Sequence, residues 1–314
     1  MKNKVLTGLL LVLIGGWGSL SAQSAGSNYS RQVNTLIGTK GVGLTSGYLY
    51  PGATYPYGMV QFTPSYFSKR SGFVINQLSG GGCEHMGNFP TFPVKGKLKM
   101  SPDNILNYRI NISEEKGHAG YYEAMVQEDI KAKLTVTERT GMASYEYPAD
   151  QQYGTVIIGG GISATPIEQA AIVITAPNKC EGYAEGGNFC GLRTPYKVYF
   201  VAEFDTDALE SGTWKRNELK PNTTFAEGEY SGVYFTFDVN KKKNIQYKIG
   251  VSYVSVENAR ENLKAENTGW DFLQIQNQAE SKWNHYLGKI EVEGTNLDRT
   301  TQFYTHLYRS FIHP

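Results

Sequence analysis

The feature that most constrains the fold is a series of short strand-like segments between residues 29 and 255. In many of them apolar and polar residues alternate, and Gly, Pro or Asn residues separate one segment from the next. No helical pattern lies between them, so we expect antiparallel strands and not βαβ units. The sequence predicts a mainly β protein, an antiparallel β-sandwich, with strands at 59–63, 95–100, 119–126, 130–137, 143–147, 155–158, 196–204, 232–237 and 247–255.

The spacing of apolar residues becomes helical near residue 255. A short helix is predicted over 257–263, and a longer one over 270–287 with Thr268 as its N-cap. A short strand is predicted over 289–293, and a final helix begins after Asn296, whose side chain can cap it.

The final helix carries an apolar stripe. Phe303, Leu307 and Phe311 recur every four residues, with Tyr304 and Tyr308 beside them. Nothing later in the chain covers this stripe, so we expect either another molecule or further chain to do so, and we favour further chain. The predicted organisation is a β-sandwich domain over 29–255, a helical linker over 256–294 and the start of another domain over 295–314.

The first residues have the pattern of a secretory signal peptide. Lys2 and Lys4 precede a short apolar run over 5–14, and small residues follow up to Ala22. The run is too short for a stable membrane span. We therefore predict a signal peptide over 1–22 and export to the periplasm or the cell exterior. The 30 basic and 29 acidic residues offer no electrostatic footprint for nucleic acid.

A glycine-rich stretch over 78–87 is the main candidate for function. Three consecutive glycines, the last of them Gly82, expose backbone groups and permit a positive φ. Cys83, Glu84 and His85 follow at once. Two interpretations remain open, a tight turn between strands and a loop that contacts a ligand.

The number of cysteines limits which disulfides can form. The chain has three cysteines, Cys83, Cys180 and Cys190. Because this number is odd, an exported chain keeps one free thiol or forms an intermolecular bridge. Cys180 and Cys190 flank a glycine-rich segment and could pair, although their spacing does not establish it.

The sequence predicts no metal site. No two cysteines have metal-ligand spacing, and the histidines are scattered. Glu203, Asp205 and Asp207 alternate, which is compatible with a hard-cation site if the strand continues, but more typical of a solvated strand end.

Seven segments in the same order resemble one family of enzymes. They are Val-Asn-Thr-Leu-Ile-Gly-Thr at 33–39, Pro-Gly-Ala-Thr-Tyr-Pro-Tyr-Gly-Met-Val-Gln at 51–61, Leu-Ser-Gly-Gly-Gly-Cys at 78–83, Gly-Asn-Phe-Cys-Gly at 187–191, Tyr-Phe-Val-Ala-Glu-Phe at 199–204, Trp-Asn-His-Tyr-Leu at 283–287 and Phe-Tyr-Thr-His-Leu-Tyr at 303–308. The chain resembles glycoside hydrolase family 92, exported exo-acting α-mannosidases.

That resemblance implies a two-part enzyme. Its N-terminal part is a galactose-mutarotase-like supersandwich, followed by a helical linker and an (α/α)₆ catalytic barrel, whose first helix would lie over 295–314. The family cleaves α-mannosidic bonds with inversion and depends on calcium. Inversion uses two carboxyl groups, an acid and a base. In the family both carboxylates and the calcium ligands belong to the barrel, so no residue of this chain is predicted to be catalytic and the missing C-terminal catalytic domain is the expected partner.

The resemblance also implies a sugar pocket. Its Gly-x-Phe-Cys-Gly loop points to Phe189 and Cys190 as contacts of a mannose-containing glycan, and Gly82, Cys83, Glu84 and His85 would form a second wall. Such a pocket suits aromatic and backbone contacts to a sugar. The alternative function is a stand-alone carbohydrate-binding β-sandwich module.

Overall fold

The computed structural model describes residues 28–40, 47–65, 72–103 and 111–313. The strands it contains are β1 (Ala53–Thr54), β2 (Gln61–Pro64), β3 (Phe73–Val74), β4 (Thr91–Lys95), β5 (Ile112–His118), β6 (Tyr121–Val126), β7 (Ile130–Val136), β8 (Thr140–Glu146), β9 (Tyr153–Gly159), β10 (Ile167–Ala176), β11 (Lys179–Phe189), β12 (Leu192–Phe204), β13 (Glu210–Lys215), β14 (Glu218–Pro221), β15 (Phe225–Glu227), β16 (Ser231–Asp238) and β17 (Asn244–Ser252).

These strands form two antiparallel sheets. The smaller sheet has the order β1-β2-β3-β4-β9-β16-β13-β14, and the larger has the order β15-β10-β11-β12-β17-β8-β7-β6-β5. In the register of the larger sheet, Tyr199 of β12 faces Tyr183 of β11 on one side and Ser252 of β17 on the other. The fold predicted from the alternating pattern is confirmed.

One core lies between the two sheets. Alternate residues of β6 and β7 are buried, as expected for strands with one face on the core. The central strand β16 is buried almost throughout. Aromatic rings join the sheets, since Phe204 lies 4.9 Å from Phe235 and Phe62 lies 6.4 Å from Tyr247 between ring centroids. Many Tyr and Phe residues of the sequence are buried in this core, together with Val, Ile and Ala.

The helices are α1 (Tyr29–Gln32), α2 (Val256–Glu266), α3 (Phe272–Leu287) and α4 (Leu297–Ser310). The Asn296 side chain accepts a hydrogen bond from Arg299 N–H, as predicted. Thr268 is not the cap of α3, because Asp271 accepts from Gln274 N–H instead. The strand predicted over 289–293 is absent: Lys289 and Ile290 form turn hydrogen bonds back to α3, and none of the strands in the described ranges pairs with this segment. The strand predicted over 95–100 is also wrong, because β4 ends at Lys95 and the next residue, Gly96, takes a positive φ.

A second, smaller core holds α4 against earlier parts of the chain. Tyr304 and Tyr308 are buried in it with Trp283 of α3. Trp283 donates its indole N–H to the Thr54 carbonyl at 2.6 Å, and the Thr54 and Tyr308 hydroxyls lie 2.7 Å apart. The expectation that another molecule or further chain covers α4 is therefore wrong for its tyrosine face, which earlier residues of this chain cover. Its neighbouring stripe, Phe303, Leu307 and Phe311, is half-buried.

The change from strands to helices falls between Ser252 and Val256. The signal peptide predicted over 1–22 lies outside the described residues. Within the described ranges, every helix is too short or too polar to span a membrane.

Candidate functional site

A disulfide between Cys83 and Cys190 joins the two loops that the sequence singles out. Their Cα atoms lie 5.3 Å apart across a sequence separation of 107 residues. The suggested pairing of Cys180 with Cys190 is wrong. Cys180 lies in β11 and Cys190 just beyond its end, and ten residues of extended strand span about 33 Å. Cys180 is instead a free, fully buried thiol, and burial raises its pKa.

The glycines of the 78–87 loop are required by its backbone and packing. Gly82 has φ +72° with open space around it, so the backbone there is accessible to a ligand. A Cβ on Gly81 would lie 2.7 Å from Cε1 of His85. Glu84 is exposed beside them. The loop is therefore both a tight turn and an open surface, and the two interpretations from sequence do not exclude each other.

His85 is buried beneath this loop. Its Nε2 accepts a hydrogen bond from Leu78 N–H at 2.7 Å, so Nδ1 carries the proton and donates to the Cys83 carbonyl at 2.6 Å. Burial lowers the pKa of His85, which favours this neutral form. Its ring centroid lies 4.9 Å from that of Phe189. The structure thus places His85 as a support between the two loops, and its predicted contact with a sugar stays a prediction.

The second loop is the tip of the β11–β12 hairpin. Phe189 pairs with Leu192, and Cys190 and Gly191 between them have φ of 53° and 81°. Two central residues with positive φ are typical of a type I′ turn. Asn188 accepts a hydrogen bond from Gly191 N–H at 3.0 Å. The turn leaves Cys190 exposed and Phe189 half-buried, so a ligand can reach both.

A buried polar network underlies the two loops and was not predicted. Asn76 accepts from Gly87 N–H and Asn88 N–H, and its amide nitrogen donates to Asn88 Oδ1 at 2.9 Å. The Tyr196 hydroxyl donates to the same Asn88 oxygen at 2.8 Å. These residues are distant in sequence, and asparagines in turn-rich segments gave no signal of a shared role.

Arg309 of α4 connects the glycine-rich loop to the helical part of the chain. Its guanidinium donates to the carbonyls of Thr35 at 2.7 Å and Tyr50 at 3.1 Å, and to Ser79 Oγ at 3.4 Å. Burial lowers the pKa of Arg309. The sequence gave no hint of this role, because the acceptors are backbone groups and one hydroxyl.

The described side chains do not form a site for the calcium that the resemblance implies. In residues 28–40, 47–65, 72–103 and 111–313, no group of three or more His, Cys, Asp or Glu is placed to hold a metal ion. The cation site considered at Glu203, Asp205 and Asp207 does not form, since β12 ends at Phe204. Glu203 pairs with Lys179 and Asp205 with Lys242. We assign no calcium ligand to these residues.

Two family models match the chain. The N-terminal domain of glycosyl hydrolase family 92 matches residues 32–252, and the family 92 catalytic domain matches residues 258–314. The chain therefore belongs to glycosyl hydrolase family 92.

Relatives with known structures or descriptions are similar over most of this chain. The family GH92 alpha-mannosidase BT3965 from Bacteroides thetaiotaomicron is 25% identical with a TM-score of 0.79, and the alignment covers 91% of this chain and 42% of that protein. The family GH92 inverting mannosidase BT2199 of the same organism is 25% identical with a TM-score of 0.78, over 91% and 40%. An uncharacterized secreted glycosidase from Arthroderma benhamiae is 26% identical over 90% of this chain and 41% of its own length. The chain thus spans about two fifths of the length of these relatives.

Proposed function

We propose that this chain supplies the sugar-recognition part of an α-mannosidase acting on mannose-containing glycans. The observation that carries the proposal is the Cys83–Cys190 disulfide, which fixes two ligand-accessible loops side by side. Family membership supports the sugar chemistry, as does the solved complex of the Bacteroides thetaiotaomicron alpha-mannosidase with mannoimidazole.

In this proposal the terminal mannose lies against the two loops. Phe189 packs on the C–H face of the sugar ring, as aromatic side chains do with apolar surfaces. The backbone around Gly82 and Cys190 offers N–H and C=O groups to sugar hydroxyls, and Glu84 accepts from a hydroxyl at the rim. His85 holds the loops in place from below, through its bonds to Leu78 and Cys83.

The catalytic acid and base are placed elsewhere in the complete enzyme. Inversion needs two carboxyl groups about 6.5–9.5 Å apart with a water between one of them and the sugar. In this proposal both carboxylates, and the calcium ligands, belong to the catalytic domain, whose family model matches residues 258–314 of this chain. We assign no catalytic residue to the described residues, and we expect the chain to bind mannosides without hydrolysing them.

We also propose that the protein is exported. The signal-peptide pattern over residues 1–22 supports this, and the Arthroderma benhamiae relative is described as secreted. A disulfide suits an oxidising compartment such as the periplasm or the cell exterior.

Ligand-observed NMR with mannoimidazole tests the site, because it detects weak binding. We expect saturation transfer to mannoimidazole that mannose competes away. Phe189→Ala should abolish the transfer, whereas Phe225→Ala, an exposed phenylalanine on the edge strand β15, should leave it unchanged. Equal transfer in both variants would show that the loops are not the sugar site.

A turnover assay tests whether this chain hydrolyses mannosides or only binds them. The purified chain is incubated with α-linked mannobioses and calcium, and released mannose is measured. Release of mannose would contradict the assignment of the catalytic groups to a part outside this chain. Binding without release agrees with it.

A further inference from the structure

The β11–β12 hairpin has an irregular neck just below its tip, formed by residues 186–187 and 194–196. Gly186 faces Tyr196, but beyond this pair two residues of β12 lie opposite the single residue Gly187. One of the two is Pro195, which has no N–H to donate to the neighbouring strand. Such a bulge bends a strand and changes where the following side chains point. The backbone pairing of the neck therefore does not by itself fix the direction of Phe189 at the tip.

The disulfide attaches the tip to the glycine-rich loop at one point. Cys190 lies in the turn and Cys83 in the loop, and the bond between them fixes the distance between the two segments. A single link of this kind leaves the segments free to tilt about it. A ring that packs on a sugar must be held in orientation as well as in position. Holding Phe189 in one orientation therefore requires a second attachment of the hairpin.

Tyr196 provides an attachment at the neck. Its hydroxyl donates to Asn88 Oδ1 at 2.8 Å, and Asn88 follows directly on the glycine-rich loop over 78–87. Its ring lies across Gly186, where a Cβ would be 3.1 Å from the hydroxyl oxygen. Burial raises the pKa of Tyr196, so the hydroxyl keeps the proton that it donates. The bond thus joins the neck of one loop to the base of the other.

The acceptor of this bond is itself held firmly. Asn88 is fully buried, and Asn76 Nδ2 donates to the same Asn88 oxygen at 2.9 Å. Asn76 Oδ1 accepts in turn from Gly87 N–H at 3.1 Å and from Asn88 N–H at 2.8 Å. A connected buried network of this kind is rigid. Tyr196 is therefore attached to a fixed point beneath the glycine-rich loop.

We propose that Tyr196 is a positioning residue of the sugar site, which sets the orientation of Phe189 toward the glycine-rich loop. The disulfide holds the hairpin at Cys190 and the Tyr196 hydroxyl holds it at Gly186, about 13 Å of extended strand away. Two attachments this far apart prevent the tilting that one allows. Tyr196 acts through Phe189 and not by touching the sugar. The inference rests on the proposed function, since it assumes that Phe189 packs on a sugar.

Tyr196→Phe tests the proposal, because it removes the hydroxyl and keeps the ring over Gly186. We expect the Kd for mannoimidazole, measured by ligand-observed NMR titration, to rise about three- to tenfold while thiol counting shows an intact disulfide. The matched control is Tyr147→Phe, which removes a buried hydroxyl that donates to the Thr155 carbonyl at 3.1 Å. This control should bind like the unmodified chain. Equal affinity in the two variants would overturn the proposal.

Hydrogen exchange separates this proposal from a failure of the proposed function. The amides of residues 186–192 should exchange faster in Tyr196→Phe than in Tyr147→Phe, whether or not a sugar binds. Absence of mannoimidazole binding to the unmodified chain would count against the proposed function and, with it, against a role of Tyr196 in sugar binding. Equal exchange of residues 186–192 in the two variants would contradict the second attachment itself. Both variants lose one buried hydrogen bond, so a difference confined to the hairpin does not arise from a general loss of stability.

Discussion

Cys83 and Cys190 form a disulfide that connects the first glycine-rich loop of the chain with the tip of a hairpin in the larger sheet. Strand β3, which leads toward Cys83, belongs to the smaller sheet, and β11, which leads to Cys190, belongs to the larger. The bond therefore joins the two halves of the sandwich at one end. It fixes the relative position of the surfaces that we propose to contact a sugar.

The disulfide should be detectable by thiol counting. Under denaturing conditions we expect one reactive thiol before reduction, that of Cys180, and three after it, with a linked pair of peptides containing Cys83 and Cys190. Because the closed loop is long, replacing both bridged cysteines with serine should lower the free energy of unfolding by about 2–4 kcal/mol in urea denaturation. A peptide linking Cys180 to Cys190 would contradict the structure.

Replacing His85 should change the pH dependence of stability. Its pKa is lowered in the folded state, so the unfolded chain binds the proton more readily. The full contribution is present above about pH 6.5, the unfolded value, and is lost as the pH falls below it. His85→Gln should be less stable at neutral pH by about 1–3 kcal/mol, since Leu78 N–H and the Cys83 carbonyl lose their partner. The difference in free energy of unfolding between pH 7.5 and pH 5.0, measured by urea denaturation, should be smaller for this variant than for the unmodified chain. The exposed His285→Gln should behave like the unmodified chain.

Glu280 should govern part of the acid stability. This buried carboxylate accepts from His118 at 2.9 Å, Arg31 at 2.8 Å and Gln276 at 2.6 Å. Despite the opposing effect of burial, these partners lower its pKa to about 2. The folded value lies below the unfolded one, so the stabilisation is present above about pH 4.5 and is lost as the pH falls toward 2.

Glu280→Gln measures that contribution. Breaking a buried ionic network costs about 3–5 kcal/mol, and the exposure of Arg31 places the expected loss near the lower end, about 3 kcal/mol at pH 7. In denaturant melts, the free energy of unfolding of this variant should depend less on pH between pH 4.5 and 2 than that of the unmodified chain. Glu218→Gln, an exposed residue paired with Lys220, should cost less than about 1 kcal/mol. Equal losses in the two variants would refute a special role for Glu280.

Arg309→Lys should loosen the glycine-rich loop. A lysine ammonium cannot reach the carbonyls of Thr35 and Tyr50 and the Ser79 hydroxyl at once, because it lacks the planar fork of the guanidinium. Hydrogen exchange of residues 78–87 should become faster, and the free energy of unfolding should fall by about 2 kcal/mol. Arg299→Lys, in the exposed first turn of the same helix, provides the control and should leave exchange in the loop unchanged.

Much of the fold could be predicted because it is encoded locally. Alternation in β6 and β7 follows from burial of one strand face, and Asn296 caps α4 through a contact three residues away. Errors arose where the competing choices are also local. Thr268 and Asp271 are both good caps by residue type, and in the structure it is Asp271 that accepts the hydrogen bond from Gln274 N–H. The strand predicted over 289–293 failed because a strand needs a partner that its own sequence does not reveal.

The sequence by itself determined the class of fold, the family and the two loops that we propose as the sugar site, since these depend on residue type and order along the chain. Tertiary structure alone decided how those loops are joined. Cys180 and Cys190 are close in sequence but are held apart by the extended strand β11, whereas Cys83 reaches Cys190 because the two sheets bring distant segments together. The same reason applies to Arg309 and to the Asn76–Asn88 network, whose partners meet only when the chain has folded.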